Sequence, residues 1–266
     1  MTVLRLRGPA PILAGIHPVS WAPQTIDLTE VSLLTPFDIV AIASLRARLQ
    51  IEGNPPELIL PHDDAVREYM SAAGLLGGET APAQGLVIGL RQLPNADAWD
   101  DLLPEIIPDL FGGLPDGNLA RRGLDALSEL IDNAGTHGLS AAGAFVCAQY
   151  YRGADLPAGL WLAVADAGPG IPAHLRLNPL YAGLEQDEQL IRLARRPWVT
   201  GTRDRRGWGL VSVFESAAGS RGGEVLIRSG GGEGFFRPRP QGPPYARYYA
   251  RKPRLPGTWV HARLCP

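Results

Sequence analysis

One segment restricts the fold more than any other. Between Asn118 and Thr136, the residues Leu124, Leu127, Ile131 and Ala134 recur at 3-4-3 spacing, the period of a helix with a single apolar face, and Gly138 ends it. Directly behind it come GAFVCAQYY and GLWLAVADAG, two strand-length apolar runs joined by RGADLPA. A one-faced helix beside paired apolar strands must bury that face on the sheet the strands make. GLVSVFESAAGS reads as a further helix with Leu210, Val213, Phe214 and Ala217 inward, and GGEVLIRSGGG, FFRPRP, YARYYARK and GTWVHARLCP read as strands or hairpin arms. The order predicts an α+β unit: a two-layer sandwich of a mixed, mostly antiparallel sheet with helices on one face. Glycine at 32 and proline at 25 agree with a turn-rich sheet and exclude a helical bundle.

The first ninety residues form a different pattern. TIDLTEVSLLTP alternates as a strand leading to a turn, and FDIVAIASLRARLQIEG follows as a helix with Ile39, Ile42, Leu45 and Leu49 on one face. PELILP is a short strand and DDAVREYMSAAGLL a second helix, with Asp63 as its cap and His62 just before it. The expected division is a small α/β unit over 1–90, a proline-punctuated helical connector over 91–117, and the α+β domain over 118–266.

With a net charge of −2, the chain as a whole gives no argument for nucleic acid. The interleaved Arg and Tyr of FFRPRPQGPPYARYYARKPR could meet single-stranded nucleic acid by charge and stacking. Because the chain is mildly acidic, the segment is expected instead as a hairpin or protein-docking edge, with its outer face solvated and its tyrosines packed inward, and no nucleic-acid partner is expected. No apolar run approaches the roughly 20 residues that a membrane-spanning helix needs, and no secretory signal opens the chain, so a cytoplasmic setting without a membrane partner is expected. Cys147 and Cys265 form no ligand or redox motif, and Cys147, His174 and His261 are expected to be structural.

Four short stretches carry chemistry. Beside the apolar face of the strongest helix, Glu129, Asn133 and His137 stand four residues apart. A solvated face would explain any three polar residues, but this stripe lacks alternating charge and asparagine is a poor helix former. An amide oxygen is a suitable hard ligand for Mg²⁺, which takes few protein ligands beside phosphate and water. VADAGPGIP puts Asp166 at a strand end, where a carboxylate accepts from an exocyclic amine such as adenine N6, and Gly168 and Gly170 allow close backbone approach. TGTRDRRGWGL sets Gly207 and Gly209 before a helix, whose exposed amides suit phosphate. GTWVHARL places the hydroxyl of Thr258 at the start of the last strand.

Taken in order, ELIDNAGTH, DAGPGIP, GWGL and the terminal GTWVHARL resemble the nucleotide-binding domain of the GHKL ATPase superfamily, over about residues 118–266. That resemblance implies ATP and Mg²⁺ as cofactors: Asn133 on the metal, Asp166 on adenine N6, and Gly168, Gly170 and Thr258 around the base. Gly207, Gly209 and the amide of Leu210 would hold phosphates, and Glu129 would be the general base. Within the superfamily, SELIDNAGTHG is most similar to the anti-sigma-factor serine kinases, which place a histidine where His137 stands. A protein serine/threonine kinase or kinase-like switch is therefore the expected function, with a conformational ATPase or a nucleotide sensor as alternatives. A histidine-kinase core is set aside, because LPHDDAVREYM lacks the continuation of a phosphoacceptor hairpin.

The unit over 1–90 resembles a STAS domain, the fold on which anti-sigma kinases act. The resemblance implies a protein partner of regulatory or STAS type, and it is compatible with a homodimer. Its acceptor turn here reads LTPFD, with Pro36 and Phe37 at the serine positions and only Thr35 or Ser32 as hydroxyls nearby. A docking role is expected.

Overall fold

Thr35 marks the switch from strand to helix. Its side chain receives the amide of Asp38 while Asp38 Oδ2 receives the amide of Thr35 at 2.9 Å, a reciprocal box that starts helix α1 (Pro36–Ile51), with Pro36 in the first turn. Strand β2 (Thr25–Leu33) precedes it, paired in parallel with β1 (Val3–Pro9) and β3 (Glu57–Ile59) in a three-stranded sheet of order β1-β2-β3. Asp63 caps α2 (Asp64–Ala72) through the amide of Ala65, as expected. The computed structural model describes residues 2–15, 20–77, 83–95, 97–138, 140–153, 156–201, 209–219, 222–239, 241–242 and 244–266.

A second sheet, antiparallel throughout, has the order β4-β5-β6-β8-β7, from β4 (Leu86–Leu93), β5 (Ala144–Tyr151), β6 (Gly159–Asp166), β8 (Tyr245–Leu264) and β7 (Glu224–Arg237). One face is covered by α3 (Asp97–Gly113), α4 (Gly117–Asn133) and α7 (Gly209–Ala218), which share an apolar core with Val146, Leu160, Leu162, Val164, Ile227 and Val260. Asp116 caps α4, and a π-helical turn, Ala134–Gly138, closes it.

Four expectations change. The sheet carries helices on both faces, because α1 lies on β5 and β6 from the other side. From Pro36 to Leu45 that helix is buried all round, not on one face, since its remaining flank meets Leu4, Leu6, Ile26 and Leu28 in the same core. Residues 91–117 are not a connector either: β4 is the sheet's edge strand, and α3 buries Trp99, Ile106 and Leu110, with Trp99 Nε1 donating to Ser128 Oγ at 3.1 Å. Finally, the four C-terminal arms merge into two long strands, because register shifts near Gly230 and Gly232 let one pair continue past an irregularity. Thr35, with no exposed surface, is spent on capping and is no acceptor; Ser32 is exposed. Among the described residues, no helix is long and apolar enough to cross a membrane.

Candidate functional site

Three adjacent strands end in polar residues on one face. Along β6 the inward row runs Leu160, Leu162, Val164 and then Asp166; along β8 it runs Ala262, Val260 and then Thr258; along β7 it runs Val225, Ile227 and then Ser229. Val164 pairs with Val260 and Ser229 with Thr258, so the three polar positions lie side by side at one sheet end, on the face that α4 covers.

Asp166 is only 4% exposed. Its Oδ1 accepts the amide of Gly168 at 2.8 Å, and the amide of Thr258 also favours the charged form, yet burial dominates and pushes its carboxyl up to about 7. Ser229 Oγ accepts the amide of Ile171 at 2.8 Å and lies 2.9 Å from both the carbonyl of Gly257 and Thr258 Oγ1. Gly170, at φ +81°, opens α5 (Gly170–Leu175), where a Cβ would come 2.6 Å from Ser229 Oγ. Gly257, at φ +91°, lets β8 press on β6, and a Cβ there would stand 2.0 Å from the carbonyl oxygen of Asp166. These two glycines are steric requirements of the corner.

The polar stripe of α4 reaches the same corner. The π-helical turn after Asn133 packs against β6, α5 and β8. Asn133 is half-buried and donates Nδ2 to the carbonyl of Glu129 at 2.7 Å, which leaves Oδ1 as its acceptor atom, without a partner among the described residues. Glu129 is also half-buried; burial first, then Asp132 and Asp125, raise its carboxyl above the ordinary range. Helix α7 runs antiparallel to α4, since Arg122, near the start of α4, donates to the carbonyl of Ser216 near the end of α7. Gly209 and Leu210 therefore begin α7 at the end where α4 finishes, and Leu210 packs with Ile171 of α5. Gly207 lies outside the described residues, as does the side chain of His137.

Two contributors are not evident from the motifs. Ser229 has a signal only in retrospect, as a hydroxyl ending a strand before a glycine run. Asp187, at the start of α6 (Asp187–Ala194), is 3% exposed and accepts Arg176 and Arg254, each at 2.7 Å, and the amide of Gly231 at 2.6 Å. It ties α5, α6, β7 and β8 together beside the corner. By contrast, a cavity of about 420 Å³ lined by Gly85, Leu86, Gln149, Tyr151 and Arg152 lies at the opposite sheet end, where Tyr151 pairs with Gly159.

The donor set suits a purine nucleotide: a buried acceptor with lone pairs to spare, a neighbouring hydroxyl pair, and a free amide oxygen nearby. No group of three or more His, Cys, Asp or Glu gathers to hold a metal among the described residues. Neither a protein-family model nor a curated protein matches this chain.

Proposed function

We propose that the chain binds ATP with Mg²⁺ in the corner formed by α4, α5 and the ends of β6, β8 and β7, and acts as a serine/threonine protein kinase or kinase-like switch on a protein partner. One observation carries this reading. Asp166 and Thr258 prolong the inward rows of their strands on the face covered by the helix that bears Glu129 and Asn133. Asp166 would accept the purine amine, Thr258 with Ser229 would fix the edge of the base, and Asn133 Oδ1 would meet the magnesium.

Bound Mg²⁺-ATP supplies a transferable phosphoryl group. The part left to this chain is to orient it and to accept a proton from the attacking hydroxyl, and Glu129, with a raised carboxyl on the same helix, is the group suited to that step. The START of α7 at Gly209 offers amides to the phosphates.

Titration calorimetry with Mg²⁺-ATP tests the pocket. Asp166→Asn replaces an acceptor by an amide and is expected to weaken binding by about 1–3 kcal/mol; unchanged affinity would remove the adenine assignment. With labelled ATP, Glu129→Ala should retain nucleotide and lose transfer, and full turnover would strip Glu129 of its role. Release of phosphate without label on any partner would make the protein an ATPase.

A further inference from the structure

Beyond Glu233 the β7–β8 pair continues as a ribbon whose two faces differ. One face, with Phe236, Ala246 and Tyr248, packs into the core under α6 and α7, and Phe236 meets Tyr248 at 5.4 Å. The other carries Tyr245, Arg247, Tyr249 and Arg251 in alternation on β8, opposite Arg237, Phe235 and Glu233 in the pairs Arg237↔Tyr245, Phe235↔Arg247 and Glu233↔Tyr249. Glu233 is buried and Phe235 packs against the core shared with α1, so the β8 row is the part open to a partner. Of the segment's tyrosines only Tyr248 packs inward, contrary to the sequence expectation. Arg239 and Arg247 stand over Tyr245 at 5.5 and 5.2 Å, and Arg251 over Tyr249 at 4.8 Å.

The charge is as uneven as the faces. From Gly234 to Arg254 there is no Asp or Glu, while Arg237, Arg239, Arg247, Arg251, Lys252 and Arg254 fall within this stretch, so a chain of net charge −2 carries a locally cationic ribbon. Three of them are engaged: Arg237 with Glu224, Arg251 with Glu233 and Arg254 with Asp187. Arg239, Arg247 and Lys252 are exposed and pair with no carboxylate among the described residues.

We infer that this outer face binds a single-stranded nucleic acid, with Tyr245 and Tyr249 as stacking platforms and Arg239 and Arg247 on the phosphates. Alternate residues of a strand stand roughly 6.8 Å apart, and guanidinium groups already lie over both rings, so a base would displace an arginine from its ring or stack on the guanidinium plane. Charge alone would equally attract an acidic peptide or an anionic membrane. What favours nucleic acid is the alternation of ring and guanidinium on one flat face, since bases stack on rings and a carboxylate chain does not. The acidic excess lies in the rest of the chain, which disfavours non-specific contact of a polyanion with it.

The test is fluorescence anisotropy of the full chain with a labelled oligothymidylate of about 15 nucleotides, within the site sizes such surfaces occupy. Binding is expected at low salt, with a log–log salt slope of about −1.4, for about two phosphate contacts at −0.7 each. Tyr245→Ala with Tyr249→Ala should weaken binding at least about tenfold, while the double phenylalanine variant, which keeps both rings, should bind within about twofold of the parent. Asp166→Asn should leave oligonucleotide affinity unchanged, which separates the ribbon from the nucleotide corner. Any of three results would overturn the inference: no binding at low salt, equal displacement by polyglutamate or by phosphatidylserine vesicles, or alanine and phenylalanine variants that bind alike.

Discussion

Asp166 is held in a state that favours a proton. Its carboxyl sits near 7 in the fold, against an ordinary value of 3.8, because burial outweighs the amides of Gly168 and Thr258. From about pH 4 to pH 7 the folded chain keeps a proton that the unfolded chain has released, so this residue lowers stability by up to about 1.4 kcal/mol per pH unit as pH rises through that window. Above it the penalty is constant. Asp166→Asn is therefore expected to raise the urea midpoint at pH 8 while it weakens nucleotide binding, and its midpoint should vary less with pH than that of the parent. A variant less stable than the parent at pH 8 would show that the carboxylate is better accommodated than its burial implies. At this scale the sequence was informative about Asp166 and Thr258, whose strand-end positions follow from alternation. It was silent on Ser229 and Asp187, because their partners come from Ile171 and Arg254, distant in sequence.

Among the elements, α1 depends on one acid. Asp38 has no exposed surface and accepts the amides of Ile12 at 2.7 Å, Leu13 at 3.3 Å and Thr35 at 2.9 Å, so it both starts the helix and pins the turn after β1 onto it. Asp38→Ala should cost roughly 3 kcal/mol, since it strands several buried amides at once, and a loss under about 1 kcal/mol in chemical denaturation would mean that the turn relaxes freely. Helix positions were legible because capping residues and apolar period are local signals. The exceptions are instructive. Pro104 and Pro108 made α3 look like a connector, although its packing on α4 and β4 outweighs the two missing amides. The full burial of α1 was hidden because Val40, Ala41 and Ala43 are small apolar residues that suit an exposed or a buried flank equally.

The molecule as a whole is joined through α1. Phe145, Cys147, Ala163, Ala165 and Trp259 on the sheet's second face lie in one core with both α1 and the three-stranded sheet, and Trp21 meets Trp259 edge-on at 4.9 Å. A division at residue 90 would cut through β4 and leave that face uncovered. A fragment beginning at residue 91 should accordingly aggregate or bind hydrophobic dye, and the full chain should unfold in one cooperative calorimetric transition. Two separated transitions would count against a shared core. Sequence periodicity cannot reveal such joining, because it reports which residues avoid water and not which partner shields them.

Cys147 lies at the centre of that joint with no exposed surface, and burial pushes its thiol up to about 12. It is thus a natural clock. A maleimide can reach it only when α1 lifts from the sheet, so its labelling rate at saturating reagent should equal the rate of global unfolding, and faster labelling would reveal that the two layers breathe apart while the rest stays folded.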